Sequence, residues 1–170
     1  MDEVFDLIDQ IIKEHEQIVP EVQNLERMTD DPEAILALER AKEDFLPVRT
    51  NAQEQGIQNL EELLGAIDQR LKVHFDREER GLLTAFEKRG DKMVAAALRV
   101  LLLEHEELKN RITKSREEVT ELVAGGLSRE VWEGKASGIR VYINHTCSLL
   151  KAHAQSEQGL FQVVRKELST

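Results

Sequence analysis

An all-α fold, a four-helix bundle, is predicted by three features of this 170-residue chain. Apolar residues recur at three- and four-residue spacing over long stretches. Glu, Leu, Lys, Ala and Gln are abundant, whereas prolines number only three and β-branched runs are few. Turn-forming residues, notably Gly90-Asp91 and Gly125-Gly126, fall between the periodic stretches. The length suits one domain spanning residues 1–170 with a continuous core.

The first helix is expected from Glu3 to Met28, with Val4, Ile8, Ile11, His15, Ile18, Val22 and Leu25 on one face. Pro20 lacks a backbone donor and crowds the preceding turn, which predicts a kink just after the histidine. Thr29-Asp30-Asp31-Pro32 reads as a stop followed by an N-cap and a first-turn proline. A short additional helix then runs from Glu33 to Leu46, ended by Pro47, and residues 48–56 form a connection. Segment 29–56 therefore separates the first and second long helices.

After Gly56 a long helix carries Leu60, Leu64, Ile67, Leu71, His74, Glu78, Leu82 and Phe86 inward. Gly90 is a natural C-cap and Asp91 a natural N-cap for the next helix, whose stripe includes Leu98, His105, Leu108, Ile112, Val119 and Leu122. Gly125-Gly126 ends it. Ser128 caps a fourth helix reaching Glu167, in which Gly134 and Gly138 weaken the early turns and predict a later start to its regular portion.

Within these stripes lies a repeated polar pattern. His74 and Glu78 stand four residues apart, as do His153 and Glu157, so each pair projects from one helix face. Glu14-His15-Glu16 resembles Glu104-His105-Glu106 in the same way. Alternation of a histidine helix with a His/Glu helix is what a duplicated helical hairpin would leave. His74 lies sixteen residues before Gly90 and His105 fifteen after it, which puts both roughly 23 Å from the turn at about 1.5 Å per residue. The depth count on the fourth helix is less even, favouring His145, while the repeated motif favours His153.

Unpaired carboxylates in a bundle core cost several kcal/mol, so Glu78 and Glu157 each need a cation or a buried donor. Metal ions shared among His15, His74, Glu78, His105, His153 and Glu157 would meet that need; a metal-free layer of His–Glu hydrogen bonds is the alternative. The flanking acids Glu14, Glu16, Glu79, Glu104, Glu106 and Glu107 point about 100° per residue away and are expected mostly in solvent, with Glu79 free to lean inward. His145 is placed as a supporting or flanking residue, Tyr142 as a core residue that could back the ligands, and Cys147 as inert.

Composition excludes several classes of function. The net charge of −10 argues against nucleic acid or an anionic membrane as partner. The single cysteine rules out a disulfide framework and a thiolate cluster, and fits a reducing compartment. The first residues lack the pattern of a signal peptide, and no run of about 18 apolar residues occurs, so a soluble cytoplasmic protein is expected.

One histidine on the first helix, His-x-x-x-Glu on the second, one histidine on the third and His-x-x-x-Glu followed by Leu160-Phe161 on the fourth resembles the hemerythrin-like, HHE cation-binding family. The resemblance spans His15 to Phe161 and implies an up-down-up-down bundle with a non-haem di-iron centre, oxo- or hydroxo-bridged. It would assign His15 and His74 to one iron, His105 and His153 to the other, and Glu78 and Glu157 to the bridges; manganese or zinc could substitute. Lys109 replaces the second third-helix histidine of the oxygen carriers, and Glu157 follows its histidine by four residues rather than five. The pattern is thus closer to the four-His, two-Glu branch. That branch includes iron–sulfur repair proteins and iron- or oxygen-responsive regulatory domains, and the leading reading is a protein that binds or senses dioxygen, nitric oxide, peroxide, or cellular iron and redox state. An oxidoreductase or iron–sulfur repair role and a metal-free helical interaction module are the rival readings.

Overall fold

The computed structural model describes residues 2–30, 51–124 and 126–169. Helix α1 covers Asp2–Asp30 and α2 covers Asn51–Asp76. A π-helical turn, Arg77–Leu82, joins α2 directly to α3, Leu83–Arg89. Helices α4, Lys92–Leu102, and α5, Glu104–Ala124, are separated only by Leu103, and α6 covers Arg129–Leu168. The result is an all-α bundle of four long helical rods, without strands among the described residues. The expected short helix at 33–46 lies outside the described residues.

Several boundaries differ from expectation. Helix α2 already begins at Asn51, so residues 51–56 of the expected connection are helical: the good helix formers around Gly56 outweigh its cost. Helix α1 continues for ten residues past Pro20, whose ring is exposed. Gly90 ends α3 in the left-handed conformation, φ 80°, as its position suggested. Asp91, however, makes no side-chain cap; its carboxylate pairs instead with Arg89 at 3.1 Å. Ser128 does cap α6, accepting from the Val131 amide at 3.4 Å. Gly134 and Gly138 do not delay α6, which is regular from Arg129, because Trp132, Ala136 and Ile139 bury in the core and hold the early turns.

The core is divided in two. One apolar cluster contains Ile18, Val22, Leu64, Leu71, Ile112 and Ile143 and runs toward Trp132; the other contains Ile8, Ile11, Leu82, Phe86, Leu98 and Phe161. Each long rod thus has an apolar stretch above and below one level. At that level the rods carry His15, His74 with Glu78, His105, and His153 with Glu157, all buried. Apolar packing on both sides fixes the depth of this polar layer and keeps water from it. None of the described helices is long and apolar enough to cross a membrane.

Candidate metal centre

Heptad-like spacing on each helix turns one polar residue, or two a turn apart, toward the bundle axis. Their donor atoms converge. Nε2 of His15 lies 3.1 Å from Nε2 of His74, and Nε2 of His105 lies 3.0 Å from Nε2 of His153. Glu78 and Glu157, both fully buried at 0% exposure, complete two overlapping groups. His15, His74, Glu78 and Glu157 form one; Glu78, His105, His153 and Glu157 form the other, with donor atoms within 4.8 Å of one another in each. Both carboxylates belong to both groups.

Histidine orientation is set from behind. Nδ1 of His74 meets Glu14 at 2.9 Å, Nδ1 of His105 meets Glu79 at 2.9 Å and Nδ1 of His153 meets Glu104 at 2.7 Å. A carboxylate accepts, so each of these Nδ1 atoms carries a proton, and in the neutral ring Nε2 is left to present a lone pair. Nε2 of His105 and Nε2 of His153 face one another across a gap that a shared proton or a cation can fill. Two nitrogens each about 2.1 Å from one ion and at right angles would stand about 3.0 Å apart. His15 alone lacks such a partner: its buried Nδ1 has no hydrogen bond among the described residues.

The carboxylates show the same convergence. Nε2 of His15 approaches Glu157 to 2.9 Å, Nε2 of His105 approaches Glu78 to 3.2 Å, and Nε2 of His153 contacts Glu157. Yet all four oxygens of Glu78 and Glu157 lack a hydrogen bond of proper angle. Proximity without alignment is what ligands aimed at a common point produce. Burial, followed by the neighbouring Glu157, pushes the Glu78 carboxyl well up. Burial also acts upward on Glu157, but contacts with His105, His15, His153 and His74 override it and hold that carboxyl far below the usual range. Against the effect of its burial, His153 is raised by Glu157 and Glu104. Four imidazoles with two carboxylates are a donor set suited to iron, manganese or zinc.

Phe75 fills the space behind the layer, stacked on His105 at a centroid distance of 3.7 Å and edge-on to His153 at 5.9 Å. Beside the first histidine pair a small cavity of about 20 Å³ is lined by Ile18, Val22, Leu71, Phe75 and Leu150 together with His15, His74 and His153. It can hold roughly one water-sized guest.

The structure brings His15, His74, Glu78, His105, His153 and Glu157 together. His145 and Tyr142 do not join them. His145 is exposed, 3.2 Å from Arg111, and the Arg111 guanidinium lies 4.1 Å over the Tyr142 ring on the outer side of α5 and α6. The rotation of about 80° that separates His145 from His153 carries it out of the layer. The bracing role of three acids was not foreseen. Glu79 takes the inward lean that was open to it, holds His105 and lies 3.8 Å from Lys109; Glu104 is exposed, as expected, yet holds His153; Glu14, expected in solvent, is partly buried against His74 and anchored by Arg77 at 2.7 Å. The available signal was the repeated Glu-His dipeptide, in which each acid braces the histidine of another helix: Glu14 reaches His74 and Glu104 reaches His153.

No curated protein and no solved structure matches the chain. The family model for the hemerythrin HHE cation-binding domain matches residues 6–164. That span contains the whole histidine and glutamate layer, and the chain belongs to the hemerythrin HHE cation-binding family.

Proposed function

We propose that this chain is a single-domain, non-haem di-iron protein of the cytoplasm that binds or senses dioxygen, nitric oxide, peroxide, or cellular iron and redox state. The observation that carries the reading is the pair of facing Nε2 couples, 3.1 and 3.0 Å apart, that share two buried carboxylates. In this reading His15 and His74 hold one ion, His105 and His153 the other, and Glu78 and Glu157 span both. Bound iron would supply reversible one-electron chemistry and open coordination positions.

The chain's own residues perform the rest. Glu14, Glu79 and Glu104 keep the Nδ1 protons in place and so keep three Nε2 atoms available. The two apolar clusters exclude water from the layer. The cavity beside His15 and His74 has room for roughly one water-sized guest and is too small for a metabolite, which supports a small ligand over an organic substrate. The lone cysteine, Cys147, is buried, in keeping with a reducing compartment.

Anaerobic reconstitution with ferrous iron, followed by metal analysis and spectra in air, tests the proposal. Two irons per chain and a near-ultraviolet charge-transfer band are expected. A fully folded chain that takes up no metal under those conditions would refute it. Multiple turnover with peroxide would instead move the assignment to an oxidoreductase.

A further inference from the structure

Most of the large apolar side chains exposed among the described residues stand singly, as is ordinary for a protein surface. Three share one face of the α4 rod: Met93 at 88% exposure, Val100 at 65% and Leu103 at 78%. Ala96 and Ala97, also exposed, lie between them. At about 100° per residue these five positions occupy an arc of roughly 120°, opposite the buried Ala95 and Leu98. A contiguous apolar stripe of this kind marks an interaction surface. Its small central residues allow a second backbone to approach closely.

We infer that this face pairs with the same face of a second copy of the chain, the two α4 helices running antiparallel about a twofold axis level with Leu98. Charge placement selects this occupant. Lys92 stands at one end of the stripe and Glu106 and Glu107 just beyond the other; all three are exposed and none has an ion-pair partner among the described residues. Parallel pairing would set like charges together. Antiparallel pairing about this axis sets Met93 opposite Leu103 and Ala96 opposite Val100, and it puts Lys92 level with position 104 of the second copy, about 3–4.5 Å along the helix from Glu106 and Glu107 and within reach of both. Arg99, at the edge of the stripe, is already neutralised by Glu87. The net charge of −10 opposes both anionic membranes and unspecific self-association, so a locally complementary patch is what a second copy requires.

The contact is isologous and therefore closes at two copies. The stripe's helix spans eleven residues, about 16 Å, so the interface is at the small end of the range and the dimer is weak and reversible. No residue of the stripe belongs to the histidine layer, and the pairing does not depend on whether metal is bound.

Sedimentation velocity on the full chain from micromolar to sub-millimolar concentration tests the inference, with circular dichroism to confirm that each variant is helical. The wild type should show a monomer–dimer equilibrium that Val100→Glu weakens by more than about tenfold, because two carboxylates would enter an apolar contact. Lys92→Glu should weaken it severalfold, and adding Glu106→Lys with Glu107→Lys to the same chain should restore it. A chain that stays monomeric throughout, a dimer indifferent to Val100→Glu, or a charge reversal without rescue would each overturn the antiparallel pairing.

Discussion

As donors, the pair His15/His74 and the pair His105/His153 are nearly equal, with Nε2 spacings of 3.1 and 3.0 Å. They differ in what stands behind the rings. Both histidines of the second pair are braced through Nδ1, by Glu79 and Glu104, and Phe75 stacks on one of them. In the first pair only His74 is braced, by Glu14, and the small apolar cavity opens beside it. The inequality has a local origin. Glu78-Glu79 on the second rod corresponds in the repeat to Glu157-Gln158 on the fourth, but only the former lies in a π-helical turn. That wider turn lets Glu78 point into the layer while Glu79 reaches His105; Gln158, on a regular helix, is exposed. The repeated pattern thus has one half braced at both histidines and one half braced at a single histidine beside a cavity.

The largest effect is expected where the halves meet. Glu157→Ala should lose metal from both together, leaving less than one ion per chain by elemental analysis; loss from one half alone would show that Glu157 is not shared. Next, Glu79→Ala combined with Glu104→Ala should lower the affinity of the second half by about 10–100-fold while sparing the first. Calorimetric titration would check this, and equal weakening of both halves would erase the distinction. In the wild type the same titration should resolve two steps, the His105/His153 half filling first, and His105→Ala should leave only the weaker step.

The acid–base behaviour gives a further, smaller effect. Without metal, Glu78 and His153 both bind protons more tightly when folded than their ordinary values of 4.5 and 6.5 imply. Folding therefore takes up protons. The stability contributed by these groups is complete below those ordinary values and declines as pH rises through the raised ones. Glu14 and Glu157 are shifted the other way, so their contributions persist at neutral pH and are lost only on the acid side. Tm of the metal-free chain should consequently fall between mildly acidic and mildly alkaline pH, whereas metal affinity should rise over the same interval because the ligands must be deprotonated. Least in size, Val19 also lines the cavity beside His15 and His74, and Val19→Phe should narrow it, slowing nitric oxide binding severalfold in stopped flow with metal content unchanged.

Helical periodicity made the four rods and their inward residues legible, including the level at which polar side chains interrupt the apolar stripes. His74 and His105 could be matched in depth because Gly90 joins their helices tightly. The fourth rod was harder. Nineteen residues separate His105 from Ala124 but twenty-four separate Arg129 from His153, so α6 begins about 7.5 Å further from the histidine level than α5 ends. Counting from the glycines alone points to His145 for that reason. The π-helical turn, the interruption at Leu103 and the bracing by Glu14, Glu79 and Glu104 were not legible. Each depends on how one helix meets another, which a pattern along a single helix does not encode.

Nε2 of His105 and Nε2 of His153 stand 3.0 Å apart with each ring held through Nδ1 by a carboxylate, so a bound ion would take the place of a proton between them. On the proposed reading, metal therefore enters the folding equilibrium by mass action. Each tenfold rise in free ion above Kd adds about 1.4 kcal/mol per site to the native state. The abundance of the folded chain would then follow the concentration of free metal, making turnover of the protein itself a record of metal supply.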